Sequence, residues 1–125
     1  MRNSAPTNGT WERVRLQELL NFITSELHSG VAPLFNQELP TSVQNIFREK
    51  LFKRLDYLSD VIGHQDYLTG RFTIADAYLF TIFLWFPIFH IEISKWPVLA
   101  EFMARMQERP AVRAAIQAED ATMPV

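Results

Sequence analysis

The chain has 125 residues, 48% of them hydrophobic and 13% aromatic, with ten Phe, so one ordinary domain with a single packed core is expected. A formal net charge of −2 offers no electrostatic footprint for nucleic acid. The lack of cysteine excludes disulfides, iron–sulfur clusters and a thiolate nucleophile, and His28, His64 and His90 stand too far apart for ligand spacing, so no metal is expected.

Residues 1–9, with Pro6 and Asn8-Gly9, read as a linker or frayed arm. They carry no apolar stretch of the kind a secretory signal needs, so a cytoplasmic location is expected. The helical domain is expected to occupy 10–120, leaving 121–125 as a tail. Thr10 is placed to cap a first helix, in which Leu16, Leu19, Leu20, Ile23 and Leu27 form one apolar stripe. Gly30 is expected to stop that helix. The segment from Val31 to Pro40 holds two prolines and is expected to be irregular, with Leu34 and Phe35 tucked inward.

Thr41 and Gln44 have the spacing of a capping box and predict a second helix running to about Gly63. Val43, Phe47, Leu51, Leu55, Leu58 and Ile62 line its buried face, and Ile46 is expected to widen it. Arg48, Lys50, Lys53 and Arg54 are interspersed with Glu49 and Asp56, which reads as a solvated face rather than an anion site.

Thr73 and Asp76 form another capping box, and from Ala77 to Ile91 no residue carries a formal charge. A helix without a polar face belongs at the centre of a bundle, so the segment from Ile74 to Phe86 is expected to be the most buried. The run is shorter than the roughly 20 residues a membrane span needs. Pro87 interrupts it and predicts a break or kink nearby. Pro97 suits the first turn of a fourth helix carrying Leu99, Phe102, Met103 and Met106, and Arg109-Pro110 starts a short last one with Val112 and Ile116 facing in. No strand-period segment is present, so the class is all-α, a bundle of about five helices.

Opposite the leucine stripe, Asn21, Ser25 and His28 share one face, with Glu18 one turn before. An amide, a hydroxyl and an imidazole can donate and accept toward a polar ligand. The same three residues also suit the plain solvent side of a helix.

The stretch Gly70-Arg71-Phe72-Thr73-Ile74-Ala75-Asp76-Ala77-Tyr78-Leu79-Phe80 resembles the central capped helix of the C-terminal, all-helical domain of glutathione transferases. Asn21-Phe22-Ile23-Thr24-Ser25-Glu26-Leu27-His28 is similar to the matching stretch of the bacterial beta class. The resemblance implies that Asn21, Ser25, Glu26, Leu27 and His28 lie against glutathione, with His28 near the sulfur as the catalytic candidate. It implies that Trp85 lies by the hydrophobic-substrate pocket. Glutathione is then a co-substrate beside a hydrophobic electrophile, and no cofactor is required. This chain departs from the family pattern in having Ser29 where Lys is common, Leu84 where Arg is common, Phe86-Pro87 where small or polar residues are usual, and a turn one residue shorter at Gly70-Arg71-Phe72.

In the family the catalytic cysteine lies on a separate thioredoxin-like domain, and no such βαβ pattern is legible in these residues. The resemblance therefore implies a C-terminal domain inactive without a thioredoxin-like half, supplied in trans by another chain. A homodimer is expected, and neither nucleic acid nor membrane is expected as a partner. The alternative is a non-enzymatic binding or dimerisation module derived from a transferase.

Overall fold

The computed structural model describes residues 10–114. Helix α1 spans Trp11–Phe22 and runs without interruption into a π-helical segment, Ile23–His28. Helices α2, α3 and α4 span Thr41–Ile62, Ile74–Phe83 and Pro97–Glu108, and 110–114 is helical again. Among the described residues there is no strand, in agreement with the all-α expectation.

The three capping signals meet different fates. Thr10 accepts from the amide of Arg13 at 3.1 Å, and Thr73 with Asp76 closes a full capping box. Thr41 caps nothing. Helix α2 begins at Thr41 itself, with Pro40 at the cap and no side-chain bond there. The Gln44 side chain instead donates to the Asn36 carbonyl at 3.2 Å. The expected box at Thr41 and Gln44 is corrected accordingly: the amides of Val43 and Gln44 both reach the Pro40 carbonyl at 3.0 Å, so a side-chain acceptor is not needed.

Gly30 does not stop the first helical run. Helical backbone continues through Ser29–Val31 and tightens into a 3-10 turn over Ala32–Phe35, ending at Asn36. Glycine terminates a helix by taking the left-handed conformation, and among the described glycines only Gly63 and Gly70 have positive φ. A side chain at Gly30 would begin 3.8 Å from Leu51 Cδ1, and burial of Val31 and Leu34 carries the chain onward into the core. Three apolar residues expected inside face out: Phe35 is 49%, Ile46 53% and Ile74, in the first turn of the central helix, 44% exposed.

Helix α3 is the centre of the bundle. Ala75, Asp76, Leu79, Phe80, Ile82 and Phe83 are buried along its ten residues, and it packs on α1, on the π-helical segment and on α4. It ends at Phe83, ahead of Pro87, which sits in a 3-10 turn over Phe86–Phe89. Helix α4 opens with Pro97 in its first turn and buries Leu99, Phe102, Met103 and Met106. Val112 packs half-buried on the core. Ile116, the arm 1–9 and the tail 121–125 lie outside the described residues.

Polar bonds lock the connections onto this core. Asp76 Oδ1 accepts from the Leu68 amide at 2.9 Å, and Oδ2 accepts from the Thr73 amide and hydroxyl at 2.8 and 3.1 Å. Burial pushes the Asp76 carboxyl above its ordinary value, and the bonds from Leu68 and Thr73 oppose that rise. Arg109 donates to the Tyr67 hydroxyl at 2.9 Å and lies 3.9 Å from the centre of the Phe72 ring. Arg48 donates to the Phe89 carbonyl at 2.6 Å, and Trp96 to Asp56 at 2.7 Å. The loops on both sides of α3 are thereby held by Asp76 of α3 itself, by Arg48 and Asp56 of α2 and by Arg109 just past α4.

Candidate functional site

The polar stripe of α1 lies where the helix widens. Asn21 lies in the last turn of the α-helical part, while Ser25, Glu26, Leu27 and His28 fall within the π-helical segment. Such widened turns are frequent at functional sites because they leave carbonyls displaced from regular partners. Here two hydroxyls attend to them: Ser25 donates to the Asn21 carbonyl at 2.7 Å and Ser29 to the Thr24 carbonyl at 3.4 Å.

The five stretch residues then separate by environment. Asn21, Ser25 and His28 are exposed. Glu26 is half-buried and held by Arg54 of α2, whose Nε and Nη2 donate to its Oε2 at 3.2 and 3.0 Å. That fork neutralises the carboxylate and fixes its position. Leu27 is fully buried, so its side chain serves the core and only its backbone is free to meet a ligand.

His28 is carried to Trp85. Their ring centroids are 5.8 Å apart in an edge-on arrangement, and Tyr78 lies 6.4 Å from the same imidazole. Phe35 extends the cluster, 5.6 Å from Trp85 and 4.7 Å from Phe89. Packing of the π-helical segment on α3 accomplishes this, because Tyr78 and Trp85, seven positions apart, point to one side of α3 and its C-terminal turn. The result is an imidazole and a hydroxyl-bearing ring bordering an apolar aromatic surface. That surface can hold a planar apolar body while the imidazole offers a hydrogen bond at its edge.

Tyr78, Phe35 and Arg54 were not among the residues expected at the site. The seven-residue spacing of Tyr78 and Trp85 was a usable sequence signal for the first. Nothing local marks Phe35 or the Arg54 bond to Glu26, both of which depend on packing between distant segments. Among the described residues no group of three or more His, Asp or Glu is arranged to hold a metal ion. No helix among them is long and apolar enough to cross a membrane.

Comparison with known proteins gives a consistent answer. A family model described as "Glutathione S-transferase, C-terminal domain" matches residues 22–110. Glutathione S-transferase GstA of Escherichia coli O157:H7 is 40% identical over 116 residues, covering 92% of this chain and 57% of the relative. The solved ternary complex of BphK, a bacterial glutathione transferase, is 41% identical with a TM-score of 0.88, over 93% of this chain and 58% of that one. The beta-class enzyme of Sphingomonas chungbukensis is 32% identical with a TM-score of 0.85, over 92% and 58%. The chain thus spans somewhat over half the length of these relatives.

Proposed function

The chain belongs to the glutathione S-transferase C-terminal domain family, and from that membership we propose that it supplies the helical half of a beta-class-like transferase site. In this reading Asn21, Ser25, Glu26, Leu27 and His28 meet glutathione, His28 acts near the sulfur, and Trp85 borders the hydrophobic electrophile. The observation that carries it is the His28–Trp85 contact at 5.8 Å. It joins the residue assigned to the sulfur with the residue assigned to the electrophile, and conjugation requires those two reactants side by side. The exposure of Asn21 and Ser25 leaves the Asn21 side-chain amide and the acceptor lone pairs of the Ser25 hydroxyl open to a ligand, and the Arg54 bond to Glu26 gives the stretch a rigid support.

Activation of the glutathione thiol needs donors or positive charge aimed at the sulfur, and most of that duty falls to a thioredoxin-like half. One helix face offers only a few hydrogen bonds, each worth about 0.5–1.5 kcal/mol net, which barely opposes the cost of association. The isolated chain should therefore bind glutathione weakly and fail to conjugate it to a chloronitrobenzene. Adding a beta-class thioredoxin-like half in trans should restore turnover, and His28→Ala should reduce it. Turnover by the chain alone that persists in His28→Ala overturns the reading.

A second reading, a non-enzymatic dimerisation module, draws on a different face. Trp11 is 75% and Val14 47% exposed near the start of α1, and apolar surface left bare tends to find a partner. A homodimer through this face should appear in sedimentation equilibrium. A clean monomer at high concentration counts against it.

A further inference from the structure

A cavity of about 560 Å³ opens beneath the turn that follows α3, and neither His28, Tyr78 nor Trp85 lines it. Its floor is apolar: Phe83 at the end of α3, Leu84 and Phe86 just beyond it, and Met103 from α4. The turn above is closed tightly. The Ile91 amide donates to the Phe86 carbonyl at 3.0 Å and the His90 amide to Pro87 at 3.1 Å, while His90 adopts the left-handed conformation, φ 61 and ψ 34. That is a Schellman closure with histidine where glycine is usual. It seats Ile91 on the floor and brings Glu92 to the rim.

Among the described residues that line the cavity, Glu92 is the only Asp, Glu, Lys or Arg, with His90 beside it in the lining. It is exposed and forms no ion pair with any described residue. We propose that this cavity binds a small hydrophobic cation, its apolar body resting on Leu84, Phe86 and Met103 and its ammonium group meeting the Glu92 carboxylate. The volume falls within the roughly 300–1,000 Å³ of pockets that hold drug-sized ligands. The negative charge selects the sign, because an anion of the same shape would meet Glu92 with no lysine or arginine among the described lining residues to offset it. The proposal is independent of the transferase reading, whose residues lie elsewhere.

The test uses two probes with the same ring and opposite charge, 1-naphthylmethylammonium and 1-naphthaleneacetate, titrated into the full chain by calorimetry and by amide NMR. The cation should bind saturably with one site, at least about fivefold more tightly than the anion, the scale of one partly exposed ion pair. Shifts should concentrate at 84–94 and 103–107. Glu92→Gln, at an exposed position, should fold normally and bring the two probes to equal affinity. Leu84→Arg should abolish cation binding without changing the denaturant midpoint by more than a few tenths of a molar. The proposal is overturned if neither probe binds, if Glu92→Gln changes nothing, or if the shifts appear at His28 and Trp85. Self-association abolished by Leu84→Arg, or displacement of the cation by a thioredoxin-like half, would overturn it too by showing that this face is a protein interface.

Discussion

Helices α1 and α3 both start on a threonine whose hydroxyl accepts a backbone amide, yet they stand at opposite ends of the burial scale. Only Leu16 and Leu19 are buried among the twelve residues of α1, against six of the ten in α3. Thr10 is exposed, whereas Thr73 is 1% and Asp76 0% exposed. The consequence is energetic. An amide freed at the start of α1 finds water, while one freed at the start of α3 stays buried and unpaired, which costs far more than the bond itself contributed. Asp76 also reaches beyond its own helix to the Leu68 amide, so the α3 cap anchors a loop as well as a helix.

The sharpest way to break this comparison is Asp76→Ala, which strands the Leu68 and Thr73 amides together with the Thr73 hydroxyl. A loss of roughly 3 kcal/mol or more is expected in denaturant unfolding, beyond the roughly 0.5–2 kcal/mol of an ordinary cap. An unchanged midpoint would mean that the box is not formed in solution.

Titration sharpens it next. Unfolded, Asp76 ionises near the ordinary carboxylate pKa of about 3.9; folded, burial holds its value higher. Between the two values the folded chain keeps a proton that the unfolded chain has released, so stability from this group falls as pH rises through the window. The difference in unfolding free energy between wild type and Asp76→Asn should accordingly shift against wild type as pH climbs from about 4. A shift in its favour would show that the hydrogen bonds to the carboxylate outweigh its burial.

At the exposed end, Thr10→Ala should cost no more than about 1 kcal/mol, measured in the same unfolding experiment. A loss matching that of Asp76→Ala would erase the distinction between the two caps. The smallest effect belongs to Thr41→Ala, within about 0.5 kcal/mol of wild type, because Thr41 caps nothing. A loss near 1 kcal/mol would restore the capping box that the structure lacks.

Local signals with one physical outcome were legible in the residues. Pro97 suits only a first helical turn, Gly63 ends α2 at positive φ, and the charge-free helix after Asp76 lies at the centre, burying Leu79, Phe80, Ile82 and Phe83. Signals with two outcomes were not. Gly30 has the composition of a helix stop, but burial of Val31 and Leu34 draws the chain onward. Thr41 and Gln44 have capping-box spacing, but Asn36 competes for the Gln44 side chain. Phe35 and Ile46 are apolar enough for a core whose shape leaves them no place.

For the candidate site, the stretch from Asn21 to His28 and the separate Trp85 could be picked out as residues. What sequence by itself determined was the all-helical class, the central capped helix and the chemistry available on one face of α1, all properties of spacing along a single segment. Only the tertiary structure decided that His28 meets Trp85 and Tyr78 and that Arg54 holds Glu26. Those depend on how helices distant in sequence pack, and packing responds to the summed shape of the core rather than to any one segment's pattern.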